Sequence, residues 1–508
     1  MQVRRVILIL LLGVLIGGLS GCALATDEEV TRLYVQAQEA HWSLNLPEAI
    51  RLYTKVLEID PKHARSHFNR GVAFRSAGNP DAALSDFSEA IKRDPSLWEA
   101  SYARGLIYVA RKRYEEAIRD MAQVVKAIPA HDGALLAMGE AYLALGRPDD
   151  ALHALDAVVE TSPKDTEALY LRALAHTAKN DAAKASADLK KVLALDAHHA
   201  RAWAKLGNLS FSQGDLKAGV EACNEALKLE PDDSTVLSNR GWAKAQLGDY
   251  QGALQDLSRS LERKPDLRIA RANRAWVLEQ MGRTEEALAD YSELARSGRP
   301  DADILAARGK ILLTLGRAEE AVKDFDHAMK VSPELPGIMA LAGKAKLAAG
   351  RFKDALADLN GALDAESRNV GALLDRAATF DALKRYPEAA RDLTQATLID
   401  PAVGKAEVLY SLGKAYLQAG DYDRSIEYLS LAIAKNPSLA LAYANRGVAF
   451  MNTQEYDNAV QDLRKALTLL TDPARKETVR GLLTQAEQLL GQRSPVKKPG
   501  PTGEERLW

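Results

Sequence analysis

The sequence predicts an all-α chain of stacked helix pairs, and three observations predict it. Helix formers dominate: the AVILMFWYC set is 47% of the chain while aromatics are only 6%, so alanine and leucine carry the apolar mass. Prolines at 61, 95, 129, 163, 231, 265, 333 and 401 are separated by 34 residues or a multiple of 34. With those prolines set as position 32 of a repeating unit, position 8 is always glycine or alanine, as at Gly71, Gly105, Gly139, Gly207 and Gly241. A fixed period of 34 residues marks a tandem-repeat architecture. About thirteen units run from residue 30 to 473, with a two-residue insertion near 402–403.

The elements follow in order. Arg4 and Arg5 precede an apolar run from Val6 to Leu19, the charged and hydrophobic regions of a secretory signal. That run is shorter than the ~20 residues that span a bilayer comfortably. It ends in Leu19-Ser20-Gly21-Cys22, which resembles the lipobox of bacterial lipoproteins. The resemblance implies that residues 1–21 are a signal peptide, that Cys22 is acylated, and that 22–29 form a lipidated linker. Several acyl chains would anchor the chain durably. Ala23 follows the cysteine. In a Gram-negative host this implies an outer-membrane, periplasm-facing lipoprotein, and in other hosts a cell-membrane one.

Within a unit each recurring residue has a physical task. Small residues at positions 8 and 20 let two antiparallel helices approach closely. Segments such as Gly78-Asn79-Pro80 turn the chain between them, and proline at position 32 ends the second helix. Asn69-Arg70-Gly71-Val72-Ala73-Phe74, then Asp81-Ala82-Ala83-Leu84, then Asp94-Pro95, resembles the tetratricopeptide repeat. The resemblance covers residues 30–473 and implies a right-handed α-solenoid of about 13 tandem units whose helix A residues line a concave groove. Position 7 is arginine in eight units, and the same eight carry aspartate at position 23, which predicts a helix A to helix B ion pair. Residues 474–492 are apolar-periodic and predict a capping helix. Residues 493–508, with Ser-Pro, Lys-Pro and Gly-Pro steps, predict a disordered tail.

Signals of catalysis are missing. Basic and acidic residues number 67 and 69, a balance that gives no support for nucleic-acid binding. The two cysteines make no disulfide framework, and none of the nine histidines falls in a zinc spacing. His198-His199 reads as a solvated helix terminus and Cys223 as a buried hydrophobe. Trp42, Trp98 and Trp203 have packing roles open to them. The expectation is no enzyme, no catalytic residue, no metal and no cofactor.

Positions 5 and 9 of helix A differ between units, as residues that read a partner are free to do. They place Tyr34, Phe68, Tyr102 and Tyr170, then Trp242 and Trp276, then Lys310, Lys344 and Lys414 along the expected groove. Aromatics followed by lysines suit a protein partner with an acidic stretch. The tyrosines serve equally well as padding between units. Asn208 and Asn239 match the asparagines with which some tetratricopeptide domains grip a terminal carboxylate, but Ile269 and Asn273 stand where the cations belong. The expected function is a scaffold or assembly factor for a cell-envelope complex: secretion, pilus, polysaccharide export or outer-membrane protein handling. The alternative is a polysaccharide-binding accessory whose aromatics stack on sugar.

Overall fold

A computed structural model describes residues 23–296, 298 and 301–492. Among these are twenty-seven α-helices, one short 3₁₀ turn and no strand. The helices form thirteen consecutive pairs and a final single helix, an α-solenoid arrangement. In repeat 2, helix A is Ala64–Ser76 and helix B is Pro80–Arg93. The insertion appears as the 3₁₀ turn Pro401–Val403, whose Ala402 amide donates to the Asp400 carboxylate at 2.9 Å. The pairs group into two compact units, one ending at Lys264, just past helix B of repeat 7, the other starting at Pro265, position 32 of that repeat. The sequence period runs across this boundary without interruption.

One expectation is corrected at the start of the chain. The expected linker is helical from Ala23, because Ala23-Leu24-Ala25-Thr26-Asp27-Glu28-Glu29 continues directly into the first helix, Ala23–Trp42. Alanine, leucine and glutamate favour helix. Cys22 with its lipobox and the tail 493–508 lie outside the described residues. No helix among the described residues is long and apolar enough to cross a membrane.

The unit is held by a small-against-large contact. A Cβ added to Gly71 would stand 2.7 Å from the Phe87 ring, and one on Gly105 2.8 Å from Met121, positions 8 and 24 of repeats 2 and 3. Position 24 side chains such as Phe87, Met121 and Leu155 are fully buried. The turn between helices places position 15 in the left-handed region throughout, whether glycine, as at Gly78 (φ 77°), or not, as at Leu44 (φ 59°).

All eight expected Arg–Asp pairs form. In each, arginine Nε and Nη2 donate to the two carboxylate oxygens at 2.6–2.9 Å: Arg70–Asp86, Arg104–Asp120, Arg172–Asp188, Arg240–Asp256, Arg274–Asp290, Arg308–Asp324, Arg376–Asp392 and Arg446–Asp462. The remaining nitrogen, Nη1, often reaches position 25 of the preceding repeat, as from Arg240 to Asn224 and from Arg376 to Asn360, both at 2.8 Å. The arginine therefore ties two repeats as well as two helices. Repeat 10 has Ala342 in the arginine's place. There Lys346, one helical turn on and only 7% exposed, makes the same two contacts, with Asp358 at 2.6 Å and Asp326 of repeat 9 at 2.8 Å.

The final helix, Pro473–Gln492, buries Val479 and Ala486 in the cluster that contains Leu463 of repeat 13. Glu487 on the same helix accepts from Arg464 of repeat 13 at 2.7 Å. Of the three tryptophans expected to pack, Trp98 lies edge-on to His131 and Trp203 donates to the Ala197 carbonyl at 3.1 Å. Trp42 is 69% exposed, because it stands at position 13, the helix A terminus, which is exposed in the following repeats as well, as at Ser76 and Ala110.

Candidate functional site

The position 5 rings are built into the joints between repeats. Tyr34 is half-buried, 5.0 Å from the His63 ring, and its hydroxyl accepts from Asn69 Nδ2 of the next repeat at 2.8 Å. Tyr102 lies 4.7 Å from His131, with its hydroxyl in the space that Gly133 leaves by lacking a Cβ. Tyr170 is 6% exposed, 5.1 Å from His199, with the Arg201 guanidinium 4.9 Å from its ring centre. Phe68 packs against Phe87 of its own repeat at 5.9 Å. Each ring meets a partner at its own joint, so the side chains do not present a row of open faces.

The three histidines have a second task. His63, His131 and His199 precede helix A of repeats 2, 4 and 6, and each Nδ1 accepts the backbone N–H three residues on, from Ser66, Ala134 and Ala202, at 3.1 Å. A ring that accepts at Nδ1 is neutral. Burial pulls the His63 imidazole below its ordinary range, with Asp60 opposing. These histidines are 68 residues apart, two units, and that doubled period was the available sequence signal. His198 is exposed beside the capping His199. Among the described residues no group of three metal-ligating side chains converges. Cys223 is buried opposite Gly207, and burial pushes its thiol up to about 12.

Repeats 6 and 7 of the first unit meet differently. Their joint contains a cavity of about 280 Å³ lined by Tyr170, Ala204, Ala226, Asp233, Asn208 and Asn239 among others. Asn239 Nδ2 donates to Asn208 Oδ1 at 2.8 Å, so the two asparagines singled out in the sequence do come together. Trp242, half-buried on the same helix as Asn239, lies edge-on to Phe211 at 5.9 Å.

In the second unit Trp276 is half-buried, and Lys310 and Lys344 are exposed. Lys344 opposes the effect of burial, which raises the Asp375 carboxyl above its ordinary range. Lys414 is half-buried and held by Asp381 at 2.9 Å, on the wall of a cavity of about 300 Å³ between repeats 11 and 12. That lysine's charge is already partnered inside the fold.

Comparison with known proteins gives one consistent result. Family descriptions of tetratricopeptide repeats match residues 34–97, 73–132, 341–402 and 410–473, 108–175, 166–199 and 206–275. The description of the Psidin N-terminal repeat region matches 242–355. A stretch of 70 residues is 39% identical to serine/threonine-protein phosphatase 5 of Homo sapiens, covering 14% of each chain. Another of 65 residues is 42% identical to Hsc70-interacting protein 1 of Drosophila melanogaster, 12% of this chain and 17% of that one. The chain thus spans a small part of the length of these relatives. Among solved structures, YrrB, described as a TPR protein with an unusual peptide-binding site, is 24% identical at a TM-score of 0.34, over 36% of this chain and 95% of its own. PilF of Pseudomonas aeruginosa is 20% identical at a TM-score of 0.38, over 40% and 93%.

Proposed function

We propose that this chain, which belongs to the tetratricopeptide-repeat family, is a lipid-anchored scaffold that holds protein partners of a cell-envelope complex on its helix A surfaces. The observation that carries the reading is a contrast within the repeat. Positions 7, 8, 23 and 24 are spent on packing and ion pairs, while positions 5, 6 and 9 change from unit to unit and leave a polar cavity at Asn208 and Asn239. Trp242 in the first unit and Lys310 and Lys344 in the second are the side chains offered to a partner, the lysines to an acidic segment. Tyr34, Phe68, Tyr102, Tyr170 and Trp276 supply edges to that surface, and Lys414 shapes it through Asp381. The envelope address rests on Arg4-Arg5, the apolar run and the Leu19-Ser20-Gly21-Cys22 sequence.

Fractionation tests the anchor. Cys22→Ala is expected to move the protein from the membrane to the soluble fraction and to abolish metabolic labelling with palmitate. Unchanged fractionation, with Met1 retained in the native protein, contradicts lipidation.

A further inference from the structure

The joint between repeats 6 and 7 differs from the joints after repeats 1, 3 and 5 by what it lacks. At the joints after repeats 1, 3 and 5, position 5 of helix A is Tyr34, Tyr102 or Tyr170, position 27 of helix B is Val56, Val124 or Val192, and the ring is closed over by His63, His131 or His199. At the joint after repeat 6 the corresponding residues are Ala204, Ala226 and Asp233, each smaller than its counterpart, and the cavity of about 280 Å³ lies among them. Asp233 keeps the capping task of the histidine, accepting from Thr235 and Val236 at 2.8 and 3.0 Å.

Two position 5 tyrosines, Tyr34 and Tyr410, have an asparagine as partner for the phenol. Asn69, at position 6 of repeat 2, donates to the Tyr34 hydroxyl at 2.8 Å, and Asn445, at position 6 of repeat 13, donates to the Tyr410 hydroxyl at 3.3 Å. Position 6 of repeat 7 is Asn239, on the cavity wall. So the joint after repeat 6 has the room for a ring, the Tyr170 ring as one wall, and the asparagine that elsewhere binds a tyrosine hydroxyl, but its own residue at position 5 is alanine.

We infer that this joint receives a tyrosine side chain from an extended segment of a partner protein, its ring taking the place that Tyr34, Tyr102 and Tyr170 take within the chain. Asn239 donates one N–H to Asn208 and has a second for the phenol oxygen. Asn208 has both amide hydrogens left for the carbonyl of the segment's backbone. Tyrosine is favoured over phenylalanine because a buried amide hydrogen left without an acceptor costs free energy. The inference deepens the scaffold reading by naming what the first unit recognises.

Saturation-transfer NMR on the full chain tests it, with the blocked pentapeptide acetyl-Gly-Ser-Tyr-Ser-Gly-amide as probe and its Phe and Ala analogues alongside. Saturation of the tyrosine ring protons is expected with the native chain, several-fold weaker for the Phe peptide, and at background for the Ala peptide. Ala204→Tyr supplies the ring from within. It is expected to abolish the signal and to raise the melting temperature by about 2 °C or more as the cavity fills. Asn239→Ala is expected to erase the preference of tyrosine over phenylalanine. Equal saturation in the native and Ala204→Tyr chains, or a melting temperature lowered by that substitution, overturns the inference. A partner that crosslinks to position 242 as strongly in Ala204→Tyr as in the native chain leaves the scaffold reading standing and removes this slot.

Discussion

The residue that does most for this fold is the arginine at position 7. Its planar fork satisfies both oxygens of a buried carboxylate, and its third nitrogen ties in the repeat before. Asp392 is 2% exposed, so removing its partner leaves a buried charge uncompensated. Arg376→Met should therefore cost about 3 kcal/mol, whereas Arg376→Met with Asp392→Leu should cost clearly less. Chemical denaturation of the two variants checks this, and a double variant as unstable as the single one contradicts it. Lys346 does the same work from a different address. Lys346→Met should destabilise by a similar amount, and Ala342→Arg in that background should recover most of the loss, read by the same denaturation midpoints. The eight arginine pairs were visible in the sequence because both partners recur at fixed positions and vanish together from the units with Met138 and Leu206. Lys346 was not, because it stands one turn away from position 7 and shares its charge with Asp326, whose one counterpart at position 25, Asp156, pairs with an arginine at position 7 instead.

At the scale of the element, the turn and the cap set the geometry. Position 15 is left-handed in every unit, and five units place a residue other than glycine there: Leu44, Lys112, Asn180, Lys384 and Gln454. Leu44 is 80% exposed, so its side chain contributes little packing. Leu44→Gly should stabilise the first repeat by about 0.5 kcal/mol, the relief of left-handed strain exceeding the added freedom of the unfolded chain. Hydrogen exchange of the Leu46–Ile59 amides would report it, and faster exchange would count against it. Burial holds His63 below its ordinary 6.5. The unfolded chain thus binds the proton first as pH falls. The stability this group contributes is complete above about 6.5 and is lost as pH drops through its lower native value. Tyr34, Asp60, Arg65 and His67 face or neighbour the ring, and Asp60 favours the charged form while Arg65 and His67 oppose it. His63→Asn keeps a helix cap without a titrating group. It should shrink the fall in melting temperature between pH 7.5 and 5.5, and an unchanged fall would refute the assignment. The helix pairs were legible because small residues and prolines recur every 34 residues. The aromatic side chains at position 5 were legible as a set but not in their contacts, since the histidines that cover them recur at twice that period. The helical start at Ala23 was missed because no unit precedes it to set a frame.

For the whole molecule, one repeated packing solution leaves a second set of positions free to vary, and that division of labour is the basis of the scaffold reading. The most direct test is photocrosslinking in living cells, with p-benzoylphenylalanine in place of Trp242 on helix A and, as a control, in place of the exposed Lys190 on helix B of repeat 5. Discrete protein adducts at 242 and none at 190 are expected. No adduct at 242, or the same adducts at both positions, would contradict a partner held on the helix A surface.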